Sequence, residues 1–152
     1  SNEMTRKLNA ASQLINGLAG EQKRWGEEME KIKEDKIKLV GDCLTGSAFL
    51  SYCGPFNSVL RQKMIFDTWK PDIVEKELPC KEDFRLETFL TSEVEISQWA
   101  SESLPTDELS VQNGILTTKA SRWPLAIDPQ MQAVTWIKEK EKRNQFDILN
   151  FN

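Results

Sequence analysis

Across residues 4–43 the chain contains no proline, and its side chains keep a seam in alternating steps of four and three: Met4, Leu8, Ala11, Ile15, Leu18, Gln22, Trp25, Met29, Ile32, Lys36, Leu39 and Cys43. A spacing of about 3.5 residues is the heptad pattern of a coiled-coil helix, with only Gln22 and Lys36 out of place. At about 1.5 Å per residue such a helix is roughly 60 Å long, more than one small domain can cover. Part of it must project. The competing reading is an amphipathic helix folded onto its own domain, and Gly17, Gly20 and Gly26 do weaken the helix locally. Charge over residues 3–43 cancels, eight basic residues against eight acidic ones, which suits a solvated helix with one apolar seam. The chain holds no second heptad stretch of similar length. The seam's partner therefore lies outside this chain, or two copies pair. The opening Ser1-Asn2 fits a segment taken from something longer.

The remaining residues are enough for one domain. A chain of 152 residues, 39% hydrophobic and 29% charged, can bury roughly two thirds of its unfolded surface. A net charge of −4 argues against nucleic acid as a partner, because that surface asks for a basic stripe. No stretch approaches the roughly 20 apolar residues that cross a bilayer, so no membrane partner is expected. Histidine is absent, which removes Ser-His-Asp and Cys-His catalysis and most catalytic zinc sites. Cys43, Cys53 and Cys80, an odd number at spacings of 10 and 27, resemble neither a disulfide framework nor a CxxC pair, and read as buried or idle thiols in a reducing compartment. The acidic residues Asp107, Glu108 and Asp128 form no metal-binding pattern and read as solvated loop carboxylates. No catalytic residue and no metal ligand emerges.

Beyond residue 43, a helix is expected to continue or restart and to end at Gly54-Pro55. Residues 56–69 have near-helical apolar spacing, with Pro71 as an interruption. Residues 85–103 predict two short helices broken near Thr91-Ser92, with Ser92 capping the second. Residues 110–116, around Asn113-Gly114, read as extended or irregular. Residues 125–127 read as a short buried strand, followed by an Asp128-Pro129 turn, a helix with Ala133, Trp136 and Ile137 on one face, and a second strand at 146–149. Trp69, Trp99, Trp123 and Trp136 are expected in the core. The fold class is thus mainly α, with a small incomplete parallel α/β sheet.

A strand, turn and helix in this order is the setting of a phosphate-binding loop. A working loop follows GxxxxGK[ST], with glycines for close backbone approach, lysine for the outer phosphates and a hydroxyl for magnesium. Laid over residues 128–135, the motif meets Asp128, Pro129, Gln130, Ala133, Val134 and Thr135. Only the hydroxyl of Thr135 survives, and the Asp128 carboxylate repels phosphate. A degenerate site with no cofactor is the expectation, a hydrolase with an atypical loop the alternative.

Several spaced blocks resemble dynein heavy chains in the same order: Leu39-Val40-Gly41-Asp42-Cys43-Leu44, Ser47-Ala48-Phe49-Leu50-Ser51-Tyr52, Gly54-Pro55-Phe56, Leu104-Pro105, Asn113-Gly114-Ile115-Leu116, and Arg122-Trp123-Pro124-Leu125 through Ile127-Asp128-Pro129-Gln130. The blocks at 122–130 and Pro55-Phe56-Asn57 look more axonemal than cytoplasmic. The resemblance implies that residues 1–43 are the ring-proximal part of the second strand of the antiparallel stalk. Residues 44–152 would begin the fifth AAA+ module, a non-hydrolysing part of the large subdomain. It further implies the first stalk helix and neighbouring AAA+ modules as partners, microtubules reached through the stalk tip, and ATP with magnesium in other modules of the heavy chain. The implied location is the cytoskeleton, in the axoneme of a cilium or flagellum. A freestanding homodimeric coiled-coil adaptor is the alternative.

Overall fold

The computed structural model describes residues 2–149. α1, Asn2–Tyr52, is one helix of 51 residues and about 75 Å. Its length follows from the absence of proline before Pro55 and from abundant Ala, Leu, Glu and Lys, all good helix formers. Exposed pairs along it, such as Lys7 with Glu3 and Arg24 with Glu21, add a few tenths of a kcal/mol each. The helix ends where expected: Cys53 N–H still donates to Phe49, and Gly54-Pro55 then turns the chain.

Six shorter helices make a body around the C-terminal end of α1. α2, Ser58–Gln62, starts at Asn57, whose side-chain oxygen accepts the Leu60 amide at 3.0 Å. It runs through a π-helical segment, Lys63–Trp69, into α3, Lys70–Glu75. Pro71 therefore does not interrupt the run as the sequence suggested. Proline removes a donor and crowds the carbonyl four residues back. The wider π turn absorbs this, with Lys70 N–H donating five residues back to Ile65. α4, Leu86–Leu90, and α5, Glu93–Ser101, are the expected pair, and the Ser92 hydroxyl accepts the Glu95 amide at 3.2 Å.

The structure departs from the sequence reading at several places. The stretch around Asn113-Gly114 is not extended but lies inside α6, Glu108–Lys119. Asp107 caps that helix by accepting the Ser110 amide at 3.0 Å, and Gly114 serves packing: a Cβ there would stand 3.0 Å from both Leu104 and Trp99. The parallel sheet is also not formed among the described residues. Segments 125–127 and 146–149 form no strand or helix, and Leu125 and Ile127 are each 93% exposed. Two strand-length segments with no neighbours cannot satisfy their backbone groups by pairing, so they remain solvated. Trp123, expected in the core, is exposed in the same stretch. The main class, predominantly α, stands.

The core lies between the last three turns of α1, the π-helical segment and helices α4 to α7. Phe49, Cys53, Ile65, Leu86, Trp99, Ile115 and Trp136 are its fully buried members. Trp99 of α5 and Trp136 of α7, Gln132–Glu141, meet edge to face with centroids 5.8 Å apart. That geometry adds about 0.5–1.5 kcal/mol beyond burial, and the Trp136 indole N–H donates to Glu102 at 3.2 Å.

Candidate functional site

Two regions carry the residues that the sequence singled out. The first is the free length of α1. Every described side chain from Glu3 to Glu34 is exposed, and all twelve seam positions lie outside the body's core. Trp25 is 62% exposed, and Leu8, Ile15, Leu18, Met29 and Ile32 are comparably open. Met4, Ala11, Gln22, Lys36, Leu39 and Cys43 continue the same solvent-facing seam. At about 25 cal/mol per Å² of apolar surface, such a row favours a partner laid along it. The reading in which α1 folds onto its own domain is not what the described residues do, because burial begins only at Gly41 and Asp42.

The second region is the N-terminus of α7, where the degenerate phosphate loop was laid. Met131, with a left-handed φ of 59°, aims the chain into the helix. The Asp128 carboxylate accepts the Gln132 amide at 2.8 Å and the Val134 amide at 3.0 Å. These donors belong to the helix's first turn, the kind that a phosphate loop offers to an anion. Here a side-chain anion already holds them. Thr135, which kept the hydroxyl of the motif, donates it to the Met131 carbonyl at 2.6 Å. Ala133 and Val134 are half-buried, and Pro129 and Gln130 are exposed. The sequence had read Asp128 as a solvated carboxylate. It instead caps the helix from three residues ahead of the N-cap position, Met131.

Sequence reasoning missed Arg61. Its side chain is 2% exposed and sits under the end of α1. Nε donates to the Cys53 carbonyl at 3.1 Å, and the terminal nitrogens reach Gly54 O, Gln112 and Asn113, the last at 2.8 Å. The guanidinium also lies 5.7 Å from the Phe49 ring centre. A cation at a helix C-terminus meets the negative end of the macrodipole and its unpaired carbonyls. Burial lowers the Arg61 pKa, partly offset by Cys53, while burial raises that of the Cys53 thiol against the pull of Arg61. Arg61 thereby ties α1 to α6 through Asn113 and Gln112, and Gln112 passes the network on to Glu87 and Glu108. All three cysteines are free thiols, with Cys53 buried and Cys43 exposed.

Residues 1–73 match the family described as the microtubule-binding stalk of dynein motor, and residues 97–152 match the ATP-binding dynein motor region. The chain belongs to the dynein heavy-chain family. It is 52% identical over 98% of its length to dynein axonemal heavy chain 10 of Homo sapiens. It is equally similar, 52% over 98%, to the dynein-1-alpha heavy chain of the flagellar inner arm I1 complex of Chlamydomonas reinhardtii. The dynein beta chain of the flagellar outer arm of the same alga is 46% identical over 95% of the chain. The chain spans about 3% of the length of each of these relatives. Within this dynein, the stalk match takes in the whole of α1 together with α2 and most of α3, and the motor-region match takes in α6 and α7.

Proposed function

We propose that this dynein segment is a non-catalytic stalk base: a helical body holding one end of a lever helix, through which movement of the motor ring reaches the microtubule-binding tip. In this reading residues 1–43 are the ring-proximal part of the second stalk strand, and residues 44–152 begin the degenerate fifth AAA+ module. The observation that carries it is the seam of α1, exposed through its whole free length on a helix whose other end is buried in the body. A lever needs that combination, one end fixed and the other given to a partner strand. Ring movement then shifts the helix against its partner, a known type of two-state element. Gln22 and Lys36 on the seam weaken any single register and leave more than one accessible.

The occupied N-terminus of α7 supports a module that neither binds nor hydrolyses nucleotide, with ATP and magnesium handled by other modules of the heavy chain. The partners in this reading are the first stalk helix and adjacent AAA+ modules, with microtubules contacted at the stalk tip and the axoneme as the place of work. The exposed segments at 125–127 and 146–149, which form no helix, fit strands that neighbours in the heavy chain complete.

The test is sedimentation equilibrium with circular dichroism on the same samples, alone and with a peptide of the first stalk strand from an axonemal relative. A one-to-one complex that gains helix supports the stalk base. A tight homodimer that refuses the peptide would instead make the chain a self-associating adaptor.

A further inference from the structure

Where α1 leaves the body, a short strap crosses it. The strap, residues 78–81, is anchored to α3 by the Leu78 amide, which donates to Ile73 O at 3.0 Å after Glu77 turns the chain with a φ of 54°. From there its backbone presses on the middle of a continuous helix. The Gly41 amide, well inside α1, donates to the Pro79 carbonyl at 2.9 Å. One residue on, Asp42 is 1% exposed, and its Oδ1 accepts the Lys81 amide at 3.0 Å. Its Oδ2 has no hydrogen-bond partner among the described residues. Thr45 donates its hydroxyl to the Gly41 carbonyl at 3.0 Å, so the helix backbone at Gly41 is engaged through both its amide and its carbonyl. Lys81 extends the contact two turns outward through Asp35 at 3.5 Å.

We propose that this strap is a register clamp, fixing the axial position at which α1 stops being body and becomes lever. Its importance to a motor rests on the stalk-base reading. The argument is steric as well as polar. A Cβ on Gly41 would lie 2.6 Å from the Cys80 Cβ and 2.7 Å from the Pro79 oxygen, so only glycine lets the strap's backbone touch the helix. A slip of α1 by one residue brings Val40 or Asp42 beneath Pro79, and neither side chain fits there. Sliding is therefore blocked while the strap is closed. A buried carboxylate with one oxygen unpaired is a costly way to hold a loop. Its retention is accounted for if the loop must grip at this level and no other. The clamp also coincides with a boundary: every described side chain from residue 3 to 34 is exposed, and the first buried positions on α1 are Gly41 and Asp42.

Amide hydrogen exchange on the full chain tests this. In the unaltered chain, protection along α1 is expected to rise in a step between residues 35 and 41. In Asp42→Ala and Gly41→Ala the step moves a turn inward to Thr45, and amides 35–41 exchange about tenfold faster. Lys81→Pro, which deletes the donor from the strap side, gives the same shift with the helix sequence intact. Asp42→Asn keeps the Oδ1 acceptor and leaves the step in place. Unchanged protection at Trp99 and Ile115 certifies that each variant is folded. A step that already lies at Thr45 in the unaltered chain, or one that stays put in all three disruptive variants, overturns the clamp. Gly41→Ala in a complete heavy chain separates the two readings. Loss of the link between ring nucleotide and microtubule affinity supports both. A link that survives although the step has moved leaves the clamp standing and removes the stalk-base role.

Discussion

Asp128 illustrates how one substitution changes what a helix N-terminus is for. The first turn of α7 has amides to give, and its macrodipole favours an anion there. In this chain the anion is covalently attached four and six residues upstream of its donors, so it arrives with folding and never leaves. Asp128→Ala should cost about 1 kcal/mol of stability by urea unfolding, the usual loss for a capping carboxylate. The same variant should gain no affinity for Mg-ATP by calorimetry, because Ala133 and Val134 still offer neither a glycine approach nor a lysine charge. Micromolar binding in the variant would mean that the cap alone was masking a usable site. The sequence made the carboxylate visible as an obstacle to phosphate. That it also holds the helix needed the coordinates, since an aspartate at a turn has several backbone donors within reach.

At the scale of elements, legibility tracked how local the deciding interaction was. The heptad seam, the Ser92 cap and the stop at Gly54-Pro55 are written in neighbouring residues and were readable. The helix through Asn113-Gly114 was not, because Gly114 is placed by Trp99 and Leu104, which approach from elsewhere in the chain. The unpaired strands failed for the same reason in reverse: alternating apolar residues announce a strand, but pairing needs neighbours. Glycines test the distinction. Gly17, Gly20 and Gly26 have nothing within reach of an added Cβ, so alanine at each should gain about 1 kcal/mol of helix propensity and raise ellipticity at 222 nm. Gly114→Ala gains the same propensity but forces a methyl against buried rings, an overpacking cost of about 1–3 kcal/mol. Its melting temperature should fall; a rise would show that Trp99 yields freely.

The tie between α5 and α6 is sensitive to acid. Glu95 accepts the Thr91 hydroxyl at 2.6 Å and pairs with Lys119 at 2.9 Å, and these hold its pKa below the ordinary glutamate value against the opposing effect of burial. A depressed value means that the folded state binds fewer protons than the unfolded one. The stabilisation is therefore present above the ordinary glutamate pKa and disappears as pH falls through the depressed one. Asp107, lowered by the Ser110 hydroxyl and amide, acts in the same direction. Urea midpoints measured from neutral pH down through the carboxylate range should fall more shallowly for Glu95→Gln than for the unaltered chain. Parallel curves would assign the acid loss to other carboxylates.

At the scale of the whole molecule, the chain is two mechanical objects sharing one helix. Between Glu3 and Glu34 nothing in the body covers α1, so its stability there is that of a single solvated helix, where cooperativity is weak and ends fray. Below the strap, Phe49, Trp99, Ile115 and Trp136 share one core and must be lost together. Urea unfolding followed by two probes should therefore split. Fluorescence is dominated in its change by the buried Trp99 and Trp136 and by Trp69, half-buried against the core, because Trp25 and Trp123 are already in water and have little to report. It should give one sigmoidal transition. Ellipticity at 222 nm should begin falling at lower urea and more gradually, as the free length of α1 melts first. Adding a partner strand that covers the seam should pull the two curves together, since the lever then melts only with its partner. Coincident curves in the chain alone would mean that α1 unfolds as one unit with the body, and a helix so tightly joined to its base could not move against a partner without taking the core with it.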